Sequence, residues 1–172
     1  QVARVRHEII AMFVTMTAEA AWRLEGLTPP IWEYLAQRQT NSFLPCMSLI
    51  DVIGGYELPA HIYSAPAVRR VTTLAASATI VANDLYSAHK ENQTAIGDFN
   101  LPLLLAREHN CTPRQAMIKC AHVHDEIVHL YEAAEQAVLP DASPLLQRFL
   151  TGIKSWVSGS LEWHRHSGRY HG

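Results

Sequence analysis

Apolar residues recur at helical spacing through nearly the whole chain, and no stretch of useful length alternates apolar and polar residues as a strand does. That periodicity restricts the fold class to all-α, a helical bundle. Residues 2–24 carry Val5, Ile9, Met12, Phe13, Met16, Ala20 and Trp22 at close to a 3.6-residue period, with coverage wide enough for a helix packed on several sides. Gly26 ends this helix. Thr28 before Pro29-Pro30 predicts an N-cap and a restart, with a second helix from Ile31 to Arg38. Residues 39–42 interrupt the apolar pattern, and Phe43 to Ile53 reads as one apolar helix closed by Gly54-Gly55. After a polar link containing Pro59 and Pro66, residues 67–91 form a long helix with Val68, Val71, Leu74, Ala78, Val81 and Leu85 on its core side. Asn92 to Asp98 is a polar loop, and Leu101 to Glu108 a short helix. Thr112-Pro113 with Gln115 spells a capping box, opening a helix to Val138 with Met117, Cys120, Val123, Ile127, Leu130 and Ala134 in register. Ser143-Pro144 opens the last helix, which carries Leu146, Phe149, Ile153 and Trp156.

The 172 residues suffice for one domain, 1–172, with a hydrophobic core, and 48% hydrophobic against 17% charged residues is a folded composition. A net charge of -2 supplies no basic field for nucleic acid, and no apolar run is long enough to span a bilayer. Cys46, Cys111 and Cys120 are odd in number and lack CxxC spacing, which argues against a disulfide framework or zinc site and favours a reducing, cytoplasmic setting. The ten histidines are scattered, with no HExxH, and read as surface or core-edge residues. The chain starts with Gln1 inside a running helix, so it is expected to be part of a longer polypeptide.

Asn83, Ser87 and Glu91 are spaced i, i+4, i+8, which stacks an amide oxygen, a hydroxyl and a carboxylate roughly 6 Å apart along one helix face. These oxygen donors suit a hard cation such as Mg²⁺. One carboxylate is too little charge for an all-protein cage, so the stripe fits a cation shared with a phosphorylated ligand, with Lys90 neutralising phosphate charge. By spacing alone, the three are equally ordinary polar residues near a helix end. Asp84 points off the stripe and reads as a solvated or cap-like carboxylate. His124-Asp125-Glu126 reads as a charged outer face.

The run Asn83-Asp84-Leu85, Ser87 and Lys90-Glu91 resembles the metal motif of class I terpene synthases, in which Asn or Asp, Ser or Thr, and Glu are each separated by three residues. Arg169-Tyr170 resembles the Arg-Tyr pair with which bacterial members bind diphosphate. Tyr34-Leu35, Arg38 and Thr40 resemble the segment holding the diphosphate-sensing arginine. The resemblance implies the C-terminal half of the class I terpenoid synthase bundle. It implies Asn83, Ser87 and Glu91 as Mg²⁺ ligands, three Mg²⁺ ions in the full enzyme, and Arg38, Lys90, Arg169 and Tyr170 as diphosphate binders. Asn41 and Ser42 would hold the linker and effector positions, where many relatives carry Asp or Gly. An allylic cation needs an apolar, aromatic wall, for which Phe43, Leu44, Cys46, Met47, Trp156 and Trp163 are candidates, with small Ala76 and Thr79 leaving room near Asn83. Each is also an ordinary core residue by type.

The stretches from Arg38 to Pro59, Asn83 to Ser87, Asp98 to Pro102 and Glu162 to His171 resemble the 2-methylisoborneol synthase subfamily. That resemblance implies 2-methylgeranyl diphosphate as substrate, water capture of the final cation, and a SAM-dependent geranyl diphosphate methyltransferase as pathway partner. The family's habit suggests a homodimer. Other bacterial cyclases, such as 2-methylenebornane or farnesyl diphosphate cyclases, and a degenerate non-catalytic interaction domain, remain alternatives. No DDxxD or DDxxE occurs here, so the family's Asp-rich motif is expected in sequence before Arg38 that this chain lacks, and the chain alone is expected to be inactive.

Overall fold

The computed structural model describes residues 1–91 and 99–169, with the side chains of residues 89–91 outside that description. The helices are α1 (Val2–Glu25), α2 (Ile31–Asn41), α3 (Leu44–Met47), α4 (Ile50–Ile53), α5 (Ala60–Tyr63), α6 (Pro66–Glu91), α7 (Leu101–Glu108), α8 (Pro113–Val138) and α9 (Pro144–His166). Among the described residues there is no strand, as the periodicity predicts. No helix among them is long and apolar enough to cross a membrane.

The predicted stops and starts mostly hold. Gly26 takes φ 65, the left-handed conformation that releases the chain from α1. The Thr112–Gln115 capping box forms in both directions, and Ser143 caps α9 by accepting from the Leu146 amide. Three expectations are corrected. Thr28 is not an N-cap: α2 starts after Pro30, and the Thr28 hydroxyl instead accepts from Arg107. The second helix runs on to Asn41, so the break comes at Ser42. Phe43 to Ile53 is not one helix but α3 and α4, joined by a turn at Ser48-Leu49.

The long helix α6 is the axis of the bundle. It packs against α2, α3, α5, α7, α8 and α9. Ala75, Ala76, Ala78 and Ala82 are buried on it and let neighbouring backbones come close. Its buried hydroxyls are satisfied within the helix, Thr72 by the Val68 carbonyl and Thr79 by that of Ala75. One core joins Val68, Val71 and Ala75 of α6 to Met47, Tyr63, Phe149 and Ile153. The other joins Val81 to Tyr34, Leu101, Leu104 and Cys120. On α8, Tyr131 rather than Leu130 turns inward, and Leu130 is exposed. Gly152 permits the contact of α9 with α4, since a Cβ there would overlap the Ile50 side chain.

Charge also fixes α1 in place. Arg4 bonds the Asp51 carboxylate and donates to the Ser48 carbonyl at 2.9 Å, while Arg69 donates to the buried Glu8 at 2.8 Å. Both guanidiniums lie against the Tyr63 ring, at 4.3 and 5.1 Å from its centroid. The far side of α1 is uncovered: Ile10, Phe13, Val14 and Met16 are exposed, where the sequence predicts packing on several sides.

Burial works against the Asp51 charge, but the Leu58 amide, Gln1 and Arg4 outweigh it and hold the carboxyl below its ordinary value. A lowered folded-state pKa gives stability that is complete above the unfolded value and is lost as pH falls through the folded one. Asp51→Asn should cost about 3 kcal/mol at neutral pH, because it leaves Arg4 without its buried partner. In urea unfolding of the full-length protein, the gap between wild type and variant should stay constant above the ordinary carboxylate range and close as the pH falls below it. A gap unchanged at the acid end would contradict this account.

Candidate active site

Asn83, Asp84 and Ser87 sit in the last turns of α6, where that helix passes α2 and the end of α9. Asp84 is 1% exposed and is not solvated, contrary to expectation. Its carboxylate accepts from the Tyr34 hydroxyl at 2.6 Å, from the Leu101 amide at 2.9 Å and from Arg38 at 3.2 Å. The cap-like part of the expectation holds, because Leu101 is the first residue of α7. One carboxylate thus ties α2, α6 and α7 at the site.

Arg38 is held from several directions. It donates to Asp84, to the Ser42 hydroxyl at 2.8 Å, and to the Asn83 amide oxygen at 3.5 Å. Burial opposes its charge, but the surrounding Tyr34, Asp84 and Glu19 more than compensate, so its pKa lies above the ordinary arginine value and it stays a cation. Its Nε is buried with no acceptor among the described residues, an unused donor on a fixed guanidinium.

Asn41 and Ser42 lie at the helix break as expected, and a chain of bonds locks them. Ser42 donates to the Asn41 oxygen at 2.8 Å, and Asn41 donates to Glu19 of α1 at 2.8 Å. Glu19 in turn accepts from Arg23 at 2.9 Å. Glu19 was not legible as a site residue: it is one acidic residue on a long helix, and only folding brings it to Asn41.

A pocket of about 480 Å³ opens beside this network. Phe43, Asn83, Trp156, Trp163, His164 and Arg169 are among its walls. The Phe43 and Trp156 rings are tilted by 58° to each other with 6.4 Å between centroids. Thus Asn83 and Arg169, 86 positions apart in sequence (169 minus 83), meet at one cavity with three large aromatic side chains. Ser87 is buried, its hydroxyl 3.5 Å from the Asp84 carbonyl. Glu91 and Lys90 side chains and Tyr170 lie outside the described residues. Met47 does not line the cavity. It is fully buried in the first core, because α3 turns it toward Phe149 and Ile153. Leu44 is likewise core, and Ala76 and Thr79 are buried away from this pocket.

His124-Asp125-Glu126 is a surface feature, with Asp125 and Glu126 exposed. Among the described residues no three His, Cys, Asp or Glu side chains gather to hold a metal. The oxygen stripe is the alternative, and its donors suit Mg²⁺: an amide oxygen and a hydroxyl beside a cationic fork fit a cation that shares its shell with phosphate. His164 is the residue that sequence reasoning passed over. It is buried, it lines the pocket, and it bonds Asn83.

Residues 1–129 match the family model for the C-terminal metal-binding part of terpene synthase family 2. The chain belongs to that family. It is 43% identical over 167 residues to 2-methylisoborneol synthase of Streptomyces ambofaciens, covering 96% of this chain and 38% of that protein. A farnesyl diphosphate-cyclising (+)-T-muurolol synthase of Streptomyces clavuligerus is 32% identical over 81% of this chain and 34% of its own length. The fold superposes with a TM-score of 0.94, at 40% identity, on crystalline 2-methylisoborneol synthase from Streptomyces coelicolor A3(2) in complex with Mg²⁺ and geranyl-S-thiolodiphosphate, covering 98% of this chain and 54% of that one. The chain therefore spans between about a third and a half of the length of these relatives.

The buried role of Asp84 gives a test. Asp84→Ala strands the Arg38 charge, the Tyr34 hydroxyl and the Leu101 amide together, and should cost about 3–5 kcal/mol in urea unfolding of the full-length protein. Tyr34→Phe removes one bond and should cost about 1 kcal/mol. A loss for Asp84→Ala as small as that for Tyr34→Phe would mean the carboxylate is not the joint of the three helices.

Proposed function

We propose that this chain forms part of the active site of a Mg²⁺-dependent class I terpene cyclase, which ionises an isoprenoid diphosphate and cyclises the resulting cation. The observation that carries the reading is the pocket that brings Asn83 and Arg169 together with Phe43, Trp156 and Trp163, beside the fixed guanidinium of Arg38.

In this reading Asn83, Ser87 and Glu91 hold the metal, and Arg38, Lys90, Arg169 and Tyr170 hold the diphosphate. Mg²⁺, when bound, neutralises phosphate charge and makes diphosphate a better leaving group. Arg38 and Arg169 present planar, permanently charged donors to phosphate oxygens. The allylic C–O bond breaks heterolytically, the electron pair leaving with diphosphate. The arginines stabilise charge that grows on the departing oxygens, and being held in place beforehand they need little reorganisation. Phe43, Trp156 and Trp163 offer aromatic and apolar surface to the cation and help exclude water until cyclisation is complete. Asn41 and Ser42, bonded to Arg38 and Glu19, set where the helix break meets the substrate.

The finer reading is conversion of 2-methylgeranyl diphosphate to 2-methylisoborneol, with water capturing the final cation and losing a proton. The 43% identity to a 2-methylisoborneol synthase across nearly all of this chain supports it, against 32% to a farnesyl diphosphate cyclase. A methyltransferase acting on geranyl diphosphate would then supply the substrate.

Offering 2-methylgeranyl, geranyl and farnesyl diphosphate separately to the full-length protein should give the highest kcat/KM with the first, and preference for farnesyl diphosphate would overturn the finer reading. Asn83→Ala or Glu91→Ala should lower Mg²⁺-dependent turnover by about 100-fold or more. Near-normal turnover in both variants would remove the metal assignment.

A further inference from the structure

The side-chain amide of Asn83 has two faces of opposite chemistry. Only its oxygen can ligate a cation or accept from Arg38, and its NH₂ would repel both. Something must therefore fix which way the amide points. His164, on α9, is 2% exposed and reaches both a backbone carbonyl and this amide. Its Nδ1 lies 2.7 Å from the Ser160 carbonyl oxygen. A carbonyl oxygen only accepts, so Nδ1 carries the proton in this contact. With Nδ1 as the donor, Nε2 is the ring nitrogen that can present a lone pair. That lone pair lies 3.0 Å from the Asn83 Nδ2, which donates to it. On the other side the Asn83 Oδ1 faces Arg38 Nη2 at 3.5 Å. A flipped amide would set NH₂ against a guanidinium and oxygen against a lone pair, so both neighbours enforce one orientation. The ring itself is held by Tyr86, at 5.3 Å between centroids, and by the edge-on Trp163 at 5.0 Å.

We propose that His164 is a positioning residue: by accepting from the Asn83 amide nitrogen it turns the amide oxygen toward Arg38 and the metal position. The proposal rests on the reading of Asn83 as a metal ligand. The order of control runs from the Ser160 carbonyl, which sets the tautomer, through the imidazole to the amide. It links α9, which carries Ser160, Trp163 and His164, to α6, which carries the oxygen stripe. Outer-shell groups of this kind commonly change metal affinity by about 10–100-fold when removed.

Two measurements on the full-length protein test it. The first needs no substitution: ¹⁵N correlation spectra of the histidine rings should show the His164 proton on Nδ1 and none on Nε2, and an Nε2–H would overturn the proposal. The second titrates Mg²⁺ in the presence of inorganic diphosphate, by calorimetry. His164→Leu keeps apolar bulk but has no acceptor, and should weaken Mg²⁺ binding by about 10-fold. His164→Gln can place an amide oxygen near the Nε2 position, and should stay within about threefold of wild type. Equal loss in both variants would reduce His164 to packing, and wild-type affinity in His164→Leu would remove its role outright. If His164→Leu does not fold, the Gln variant and the tautomer decide. Asn83→Ala separates the layers: loss there with none in His164→Leu sinks only the positioning role, whereas wild-type affinity in Asn83→Ala sinks the metal reading beneath it.

Discussion

The bundle end that carries the site depends on one buried carboxylate. Asp84 takes the Tyr34 hydroxyl, the Arg38 guanidinium and the Leu101 amide at once. A carboxylate out of water is costly unless its lone pairs are occupied, and here three donors from three helices occupy them. The arrangement fixes Arg38 with its Nε still without an acceptor among the described residues, while keeping its charge. It also fixes where α6 sits, and with it the neighbouring Asn83. Structural and chemical roles are divided between adjacent residues: Asp84 faces inward to hold the helices, and Asn83 faces the pocket.

Around that joint, polar groups form a continuous network. Arg23, Glu19, Asn41, Ser42 and Arg38 connect α1 to the break after α2, and Asn83 passes the connection to His164 on α9. In a low-dielectric setting such bonds are strong and leave few alternative geometries. Under the proposed function that rigidity would serve catalysis, since electrostatic stabilisation works when donors are already in place as charge develops. In the same reading the aromatic wall would add the complementary property, a surface that attracts a cation without reacting with it. A second polar cluster, Arg4-Asp51 and Glu8-Arg69 around Tyr63, locks α1 at the opposite end of the bundle.

The helices were legible because their signals are local. Gly26, the Thr112–Gln115 box and Ser143-Pro144 act within a few residues of themselves, and they mark ends where the structure has them. Where a signal had competition, reading failed. Thr28 is a good cap by type, but Arg107 claims its hydroxyl. Phe43 to Ile53 is apolar enough for one helix, yet splits at Ser48-Leu49, placing Met47 in the core and Phe43 at the pocket. Leu130 and Tyr131 show the same limit, since periodicity alone does not choose between adjacent apolar residues.

The sequence by itself determined that the chain is helical, where most helices begin and end, and that Asn83 and Ser87 share one face of α6. These follow from backbone hydrogen bonding and a fixed turn of about 3.6 residues, which need no distant partner. Only the tertiary structure decided what that face meets. It turned Asp84, expected to be solvated or cap-like, into the buried joint, brought Arg169 and Trp156 to Asn83, and set a histidine with no local signal against its amide. The physical reason is that burial and pairing are properties of helix packing, and residues such as Asn83 and His164, 81 positions apart, meet through a docking geometry that no sequence window contains.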